Sequence, residues 1–246
     1  MINAFLMMGQ SNMAGRGSLN DLPDIDNDHV LVLREEGWER AHEPVTRDKS
    51  IAGSGMGIAF GTALNMVSDC DIGLIPCALG GSALDEWQSG SVLFENALKQ
   101  AENALKSGAC ISGILWHQGE FDSDNAQTAH TYAMRFERMR DEFIARLYTI
   151  AEKINALNRV AQPLPVIVGE LGDFLSEFTT CDYYKEVNRQ LHELSEHALQ
   201  YACVSAHGLK DRGDKLHFST SAQRELGLRY ACCWLEAARR VGVKLM

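Results

Sequence analysis

The apolar positions of this chain fall into short unbroken runs, which alternate with longer stretches where apolar residues recur every three or four positions. The first run, residues 2 to 8 (Ile, Asn, Ala, Phe, Leu, Met, Met), ends at Gly9 and reads as a buried parallel strand. Runs at residues 71 to 79, 111 to 116, 164 to 171 and 201 to 206 read the same way, with Pro76 marking a bend or an edge. Between them, helical spacing covers residues 56 to 67 (Ile58, Phe60, Leu64, Val67), 92 to 107, 127 to 159, 183 to 200 and 221 to 241. Thr220 with Gln223 has the form of a capping box ahead of the last helix. Strand and helix alternating over five units predict an α/β fold, a five-stranded parallel sheet with helices on both faces.

Residues 17 to 53 interrupt this alternation. A polar loop with Pro23 leads to a short strand at residues 29 to 33. The turn at Glu36, Gly37 and Trp38 predicts a small antiparallel hairpin near the rim of a site, and a second loop runs from Glu43 and Pro44 to Gly53. No linker rich in Pro, Gly or Ser divides the 246 residues, so residues 1 to 246 read as one domain. An apolar fraction of 46% with 23% charged residues is that of a soluble protein with ample core. A formal charge of -10 argues against a nucleic-acid surface or an anionic membrane as partner. No apolar stretch approaches membrane-spanning length and no basic region precedes the first strand, so a cytoplasmic protein is expected. The seven cysteines, odd in number and without CxxC or zinc spacing, read as free and mostly buried thiols.

Candidate chemistry begins where the first strand stops. Gly9, Gln10, Ser11, Asn12, Met13, Ala14 and Gly15 put one serine between glycines at the C-terminal end of a strand, where open α/β sheets hold their ligands. Ser11 is either the N-cap of a following helix or a nucleophile. A nucleophilic hydroxyl needs a base, an acid to orient the base, and donors for the oxyanion. His217 is the candidate base, because it lies in a loop before a helix with Asp214 three residues earlier to receive its ring N–H. Gly80 and Gly81 follow a strand and allow a sharp turn with an N–H free to donate; an ordinary strand-to-helix turn would use them equally well. Polar groups His117, Gln118 and Glu120 end the third long strand. His117 and Glu120 lack a third ligand at suitable spacing for a metal, and no cofactor is expected. The serine motif is not the G-x-S-x-G elbow of α/β-hydrolases.

Together, GQSNMAG (9 to 15), Gly80 with Gly81, WHQGE (116 to 120) and Asp214 to His217 resemble the ordered blocks of the SGNH (GDSL-like) hydrolase superfamily. They are similar, more narrowly, to the sialate O-acetylesterase and acetylxylan esterase group, carbohydrate esterase family 6. The resemblance implies a three-layer α/β/α flavodoxin-like domain that removes acetyl groups from a small acetylated carbohydrate without a metal. It implies Ser11 as nucleophile, His217 as base, and the Ser11 and Gly81 N–H groups with the Gln118 amide as oxyanion donors. Asp214 and Glu120 compete as the acid; the three-residue spacing favours Asp214, leaving Glu120 a supporting role. Gln10, Arg16 and Trp87 are candidate substrate-binding residues, Arg16 as a partner for a sialic acid carboxylate; Trp38, Asp85, Glu86 and Asp122 also lie in loops. A broader arylesterase or lipolytic enzyme, or a binding domain that has lost catalysis, are the alternatives.

Overall fold

The structure, a computed structural model, describes residues 1 to 245. Its centre is β1 (Ile2–Gly9), buried along almost its entire length. β1 pairs in parallel with β4 (Asp71–Pro76) on one side and β5 (Cys110–His117) on the other. Beyond β5 lie β6 (Val166–Gly169) and β7 (Tyr201–Val204), both parallel. The predicted hairpin is not a separate flap. Its first strand, β2 (Val30–Arg34), joins β4 in parallel, and β3 (Gly37–Arg40) closes the edge antiparallel to it. The sheet therefore has seven strands in the order β3-β2-β4-β1-β5-β6-β7, six of them parallel, where sequence periodicity predicted five.

Helices cover both faces. On one, α2 (Gly57–Ser68) packs against α7 (Thr220–Val241); on the other, α3 (Val92–Lys106) packs against α5 (Tyr132–Lys153), with α6 (Tyr184–His197) beside α5 and β7. Phe5 anchors the first layer, its ring edge-on to Phe60 of α2 at 4.8 Å and to Trp234 of α7 at 5.2 Å. Trp116 anchors the second against Trp87 and Phe136 at 5.4 and 5.2 Å. Such pairs add to the area burial that drives the layers together. No helix of the described residues is long and apolar enough to cross a membrane.

Two helical expectations change. The stretch from 127 to 159 breaks at Thr131 into a short α4 (Ala126–His130) and α5, followed by a 3-10 turn at Leu157–Arg159. The Thr131 hydroxyl donates back to the Gln127 carbonyl, and the Ala133 N–H turns to Gln190 Oε1 of α6 at 2.8 Å. The cap of α7 is Ser219, whose Oγ accepts from the Ala222 N–H, so Thr220 and Gln223 form no capping box. Gln223 instead reaches across to donate to the Asn12 carbonyl at 3.1 Å.

Candidate active site

The chain turns out of β1 by bringing backbone against backbone. Gly9 has φ +132°, and a Cβ there would lie 2.1 Å from the His117 carbonyl oxygen, so no other residue fits. The Gln10 N–H then donates to that same carbonyl at 2.9 Å. A single helical turn, α1 (Ser11–Ala14), follows; Ser11 lies inside it and caps nothing. Its hydroxyl is 3.1 Å from His217 Nε2.

His217 arrives from the other end of the chain in the loop before α7. Lys215, between Asp214 and His217, takes a left-handed φ of +61° and donates its N–H to Asp211 Oδ2, closing a turn that brings the two side chains together. Asp214 Oδ2 accepts from His217 Nδ1 at 2.8 Å and from Arg212 Nε at 2.7 Å. Asp214 Oδ1 accepts the His217 and Leu216 N–H groups. Burial pushes the Asp214 carboxyl up, but the His217 ring and the other donors outweigh it and hold the group well below the usual carboxylate range. With an ionised acceptor on Nδ1, the His217 proton sits there and Nε2 faces Ser11 with its lone pair. Burial outweighs the attraction of Asp214 for the imidazolium, so the His217 pKa lies below its ordinary value and the ring is neutral at pH 7.

Asn12, next to the serine, ties this arrangement together. Its amide nitrogen donates to Glu120 Oε1 and to the Leu216 carbonyl, and its oxygen accepts the Phe218 N–H. The residues on either side of His217 are thus bound to the residue after Ser11. Glu120 is 3% exposed; it touches Asn12 and not His217, and burial raises its pKa to about 7. His117 is fully buried and held neutral, its pKa lowered to about 3 by desolvation.

A cavity of about 220 Å3 opens on Ser11 and His217. Gly81, at φ +80°, and Gln10 border it. Neither the Ser11 nor the Gly81 N–H has an acceptor among the described residues. Gln118 does not reach the cavity. It is fully buried, with its Nε2 shared among Asp122 Oδ2 (2.7 Å), the Ser82 carbonyl (3.1 Å) and Gln10 Oε1 (3.2 Å), so the expected donor role has no free hydrogen to serve it. The same network orients Gln10. Its Oε1 is fixed by Gln118 Nε2 and faces the Gly119 and Phe121 N–H groups, which leaves Nε2 on the cavity side with no acceptor among the described residues.

Arg16 borders the cavity, but its guanidinium is already engaged. It forms a buried two-point pair with Asp48 at 2.6 and 3.1 Å, and Asp48 Oδ2 also accepts the Gly80 N–H. The pair locks the loop after β3 and the glycine turn to the serine loop and commits both terminal nitrogens of Arg16, while its Nε is buried without a partner among the described residues. Trp87 is fully buried, donates to Ser82 and packs on Trp116, so it binds no substrate. Trp38 covers Gly73 and donates to Ser107 at the end of α3, away from the site. Asp85 and Asp122 pair with Arg135, and Glu86 accepts the Ala83 N–H. Lys49 and Ile51 from the loop after β3, with Phe121, Asp124, Phe178 and Thr180, complete the walls. Sequence reading missed these; the available signal was Ile51, Phe121 and Phe178, apolar residues outside any helical or strand period.

A family model described as carbohydrate esterase, sialic acid-specific acetylesterase, matches residues 1–236. A probable carbohydrate esterase of Arabidopsis thaliana is 34% identical over 94% of this chain and 89% of its own. The solved structure of the Arabidopsis protein superposes with a TM-score of 0.79 at 31% identity, covering 95% of this chain and 97% of that one. NanS has the same fold, with a TM-score of 0.73 at 16% identity over 97% and 98% of the two chains. So has a carbohydrate acetylesterase of Xanthomonas citri, at 0.67 and 17%, over 99% of this chain and 57% of that one. The chain belongs to the sialic acid-specific acetylesterase family of carbohydrate esterases.

Proposed function

We propose that the protein removes O-acetyl groups from sugars by acyl transfer through Ser11. The observation that carries this reading is the continuous hydrogen-bonded series Asp214, His217, Ser11 opening on a cavity bordered by unpaired donors. In the first half-reaction, His217 Nε2 takes the Ser11 proton as Oγ attacks the acetyl carbonyl. Asp214 holds the imidazolium that forms. The oxyanion is received by the Ser11 and Gly81 N–H groups and by Gln10 Nε2, in the role the family resemblance implied for Gln118. His217 then protonates the departing sugar oxygen. Water, deprotonated by the same ring, releases acetate from the acetyl-enzyme.

A cavity of about 220 Å3 is smaller than the roughly 300–1,000 Å3 that encloses drug-sized ligands. It suits an acetyl group with its sugar at the mouth, and the reading extends to acetylated xylo-oligosaccharides or O-acetylated sialic acid. Hydrolysis of 4-nitrophenyl acetate by wild type and Ser11→Ala, with chelator present, tests the mechanism. Wild-type turnover that Ser11→Ala abolishes while keeping its melting temperature is the expected result. Equal rates in the two proteins refute it. Release of acetate from the two sugar classes then identifies the substrate.

A further inference from the structure

We propose that Phe121, with Asp124 beside it, is the platform on which the sugar leaving group rests, and that it makes the protein selective for saccharide acetates over simple ones. The inference rests on the esterase reading above. The cavity lodges little more than the acyl group, so the ring bearing the ester lies against the mouth. Phe121 is 53% exposed and Ile51 is 59% exposed; of the large apolar side chains that face solvent among the described residues, these two border the mouth. Of these two only Phe121 offers a flat face, and Phe178, the other ring in the wall, is half-buried.

Its exposure is built, not incidental. Glu120 and Asp122 on either side are 3% and 2% exposed, each held by its own partner, Asn12 and Arg135. The Ser123 N–H closes a turn onto the Gly119 carbonyl at 2.8 Å, and the Phe121 N–H faces Gln10 Oε1 at 3.4 Å. A phenyl ring kept out of the core forgoes roughly the stabilisation a buried phenylalanine brings, yet its backbone stands on the very amide that offers Nε2 to the oxyanion. The backbone that carries the ring is thereby held in register with the acyl site.

The chemistry of this wall suits a pyranose. Its axial C–H groups form an apolar face that packs on an aromatic ring as a cation or another ring edge does. Asp124, three residues on, lines the same mouth; its carboxylate already accepts from Thr180 and Cys181, and its remaining lone pairs suit hydroxyl donors and not a second carboxylate.

The test compares kcat/KM for partly acetylated xylobiose and for ethyl acetate, whose leaving group has no ring. In Phe121→Ala the ratio of the two constants is expected to fall roughly tenfold, through KM for the saccharide. Phe121→Tyr, which keeps the face, should restore it, and Asp124→Ala should lower the ratio with kcat retained. An unchanged ratio, or an equal fall on both substrates in a variant that melts like wild type, overturns the platform and leaves the esterase reading intact. Absence of wild-type acetate release from the acetylated xylobiose, ethyl acetate and 4-nitrophenyl acetate alike would instead sink the esterase reading itself.

Discussion

Replacing Gln10 by glutamate separates the donor from its scaffold. The substitution keeps the oxygen that lies 3.5, 3.4 and 3.2 Å from the Gly119 N–H, the Phe121 N–H and Gln118 Nε2, and exchanges only the Nε2 donor for a carboxylate oxygen. Loss of one of three oxyanion donors costs roughly 100- to 1,000-fold in kcat, about 3–4 kcal/mol of transition-state stabilisation. A carboxylate facing the oxyanion adds repulsion of about 4 kcal/mol at 4 Å and an effective dielectric of 20. The buried acid can escape part of that by taking a proton, so the expected fall in kcat for Gln10→Glu is at least about 100-fold. KM should move little, since the ground-state carbonyl makes the weaker contact. Steady-state hydrolysis of 4-nitrophenyl acetate reads the effect and a thermal melt reports on the fold. A kcat within about tenfold of wild type, with a native melting temperature, would refute the assignment of Gln10. Gln118→Ala should behave differently. It removes a hydrogen bond to the Asp122 carboxylate, worth about 2 kcal/mol, and should show first as a melting temperature lowered by roughly 4–8 °C.

Two further perturbations test the supports of the site. Glu120 titrates near 7 in the fold against 4.5 as its ordinary value, so its protonated form is the one the fold favours, and the stability it contributes is full below pH 4.5 and lost as pH rises to 7. The difference in unfolding free energy between wild type and Glu120→Gln should therefore shrink by about 3 kcal/mol over that window, measured by urea titration at several pH values; a flat difference would count against the buried carboxyl. His117, whose lowered pKa acts in the opposite direction on acidification, is common to both proteins, but its Nε2 lies 4.0 Å from Glu120 Oε1, so the coupling of the two groups enters the difference as well. Asp48→Asn leaves the Arg16 guanidinium buried without its charge partner, at an expected cost of about 3–5 kcal/mol in urea denaturation, with loss of esterase activity as the Gly80 turn loosens; a cost below about 1 kcal/mol would mean the pair is not holding these loops.

Unbroken apolar runs and the period of three to four carried the layers of this fold. The five core strands and the helices that cover them were readable because each buries one face or both. The hairpin was readable as a hairpin, but its membership of the main sheet depends on β2 pairing with β4, a contact between residues some forty positions apart that no local pattern encodes. The helix break at Thr131 depends likewise on Gln190 of α6 supplying an acceptor. In the site, Ser11, Asp214 and His217 were legible because a turn of three residues and a serine at a strand end are local facts. Gln118 and Gln10 were not separable by sequence: two amides on neighbouring strand ends differ only in which one the Asp122 carboxylate captures. Trp87 and Arg16 illustrate the same limit, since a loop tryptophan and a loop arginine look available until Ser82 and Asp48 are seen to hold them.

The position of β1 bears on how such a chain acquires its structure. The most deeply embedded strand is synthesised first, and the partners that satisfy its two edges come from residues 71 to 76 and 110 to 117. Until both have left the ribosome, an apolar segment with two open edges has nothing native to pair with, a state that invites association with other chains. The proposed base arrives later still, since His217 lies 206 residues beyond Ser11. During refolding, sheet formation should run ahead of recovered activity, and a chain arrested before residue 217 would carry Ser11 with no His217 to partner its hydroxyl.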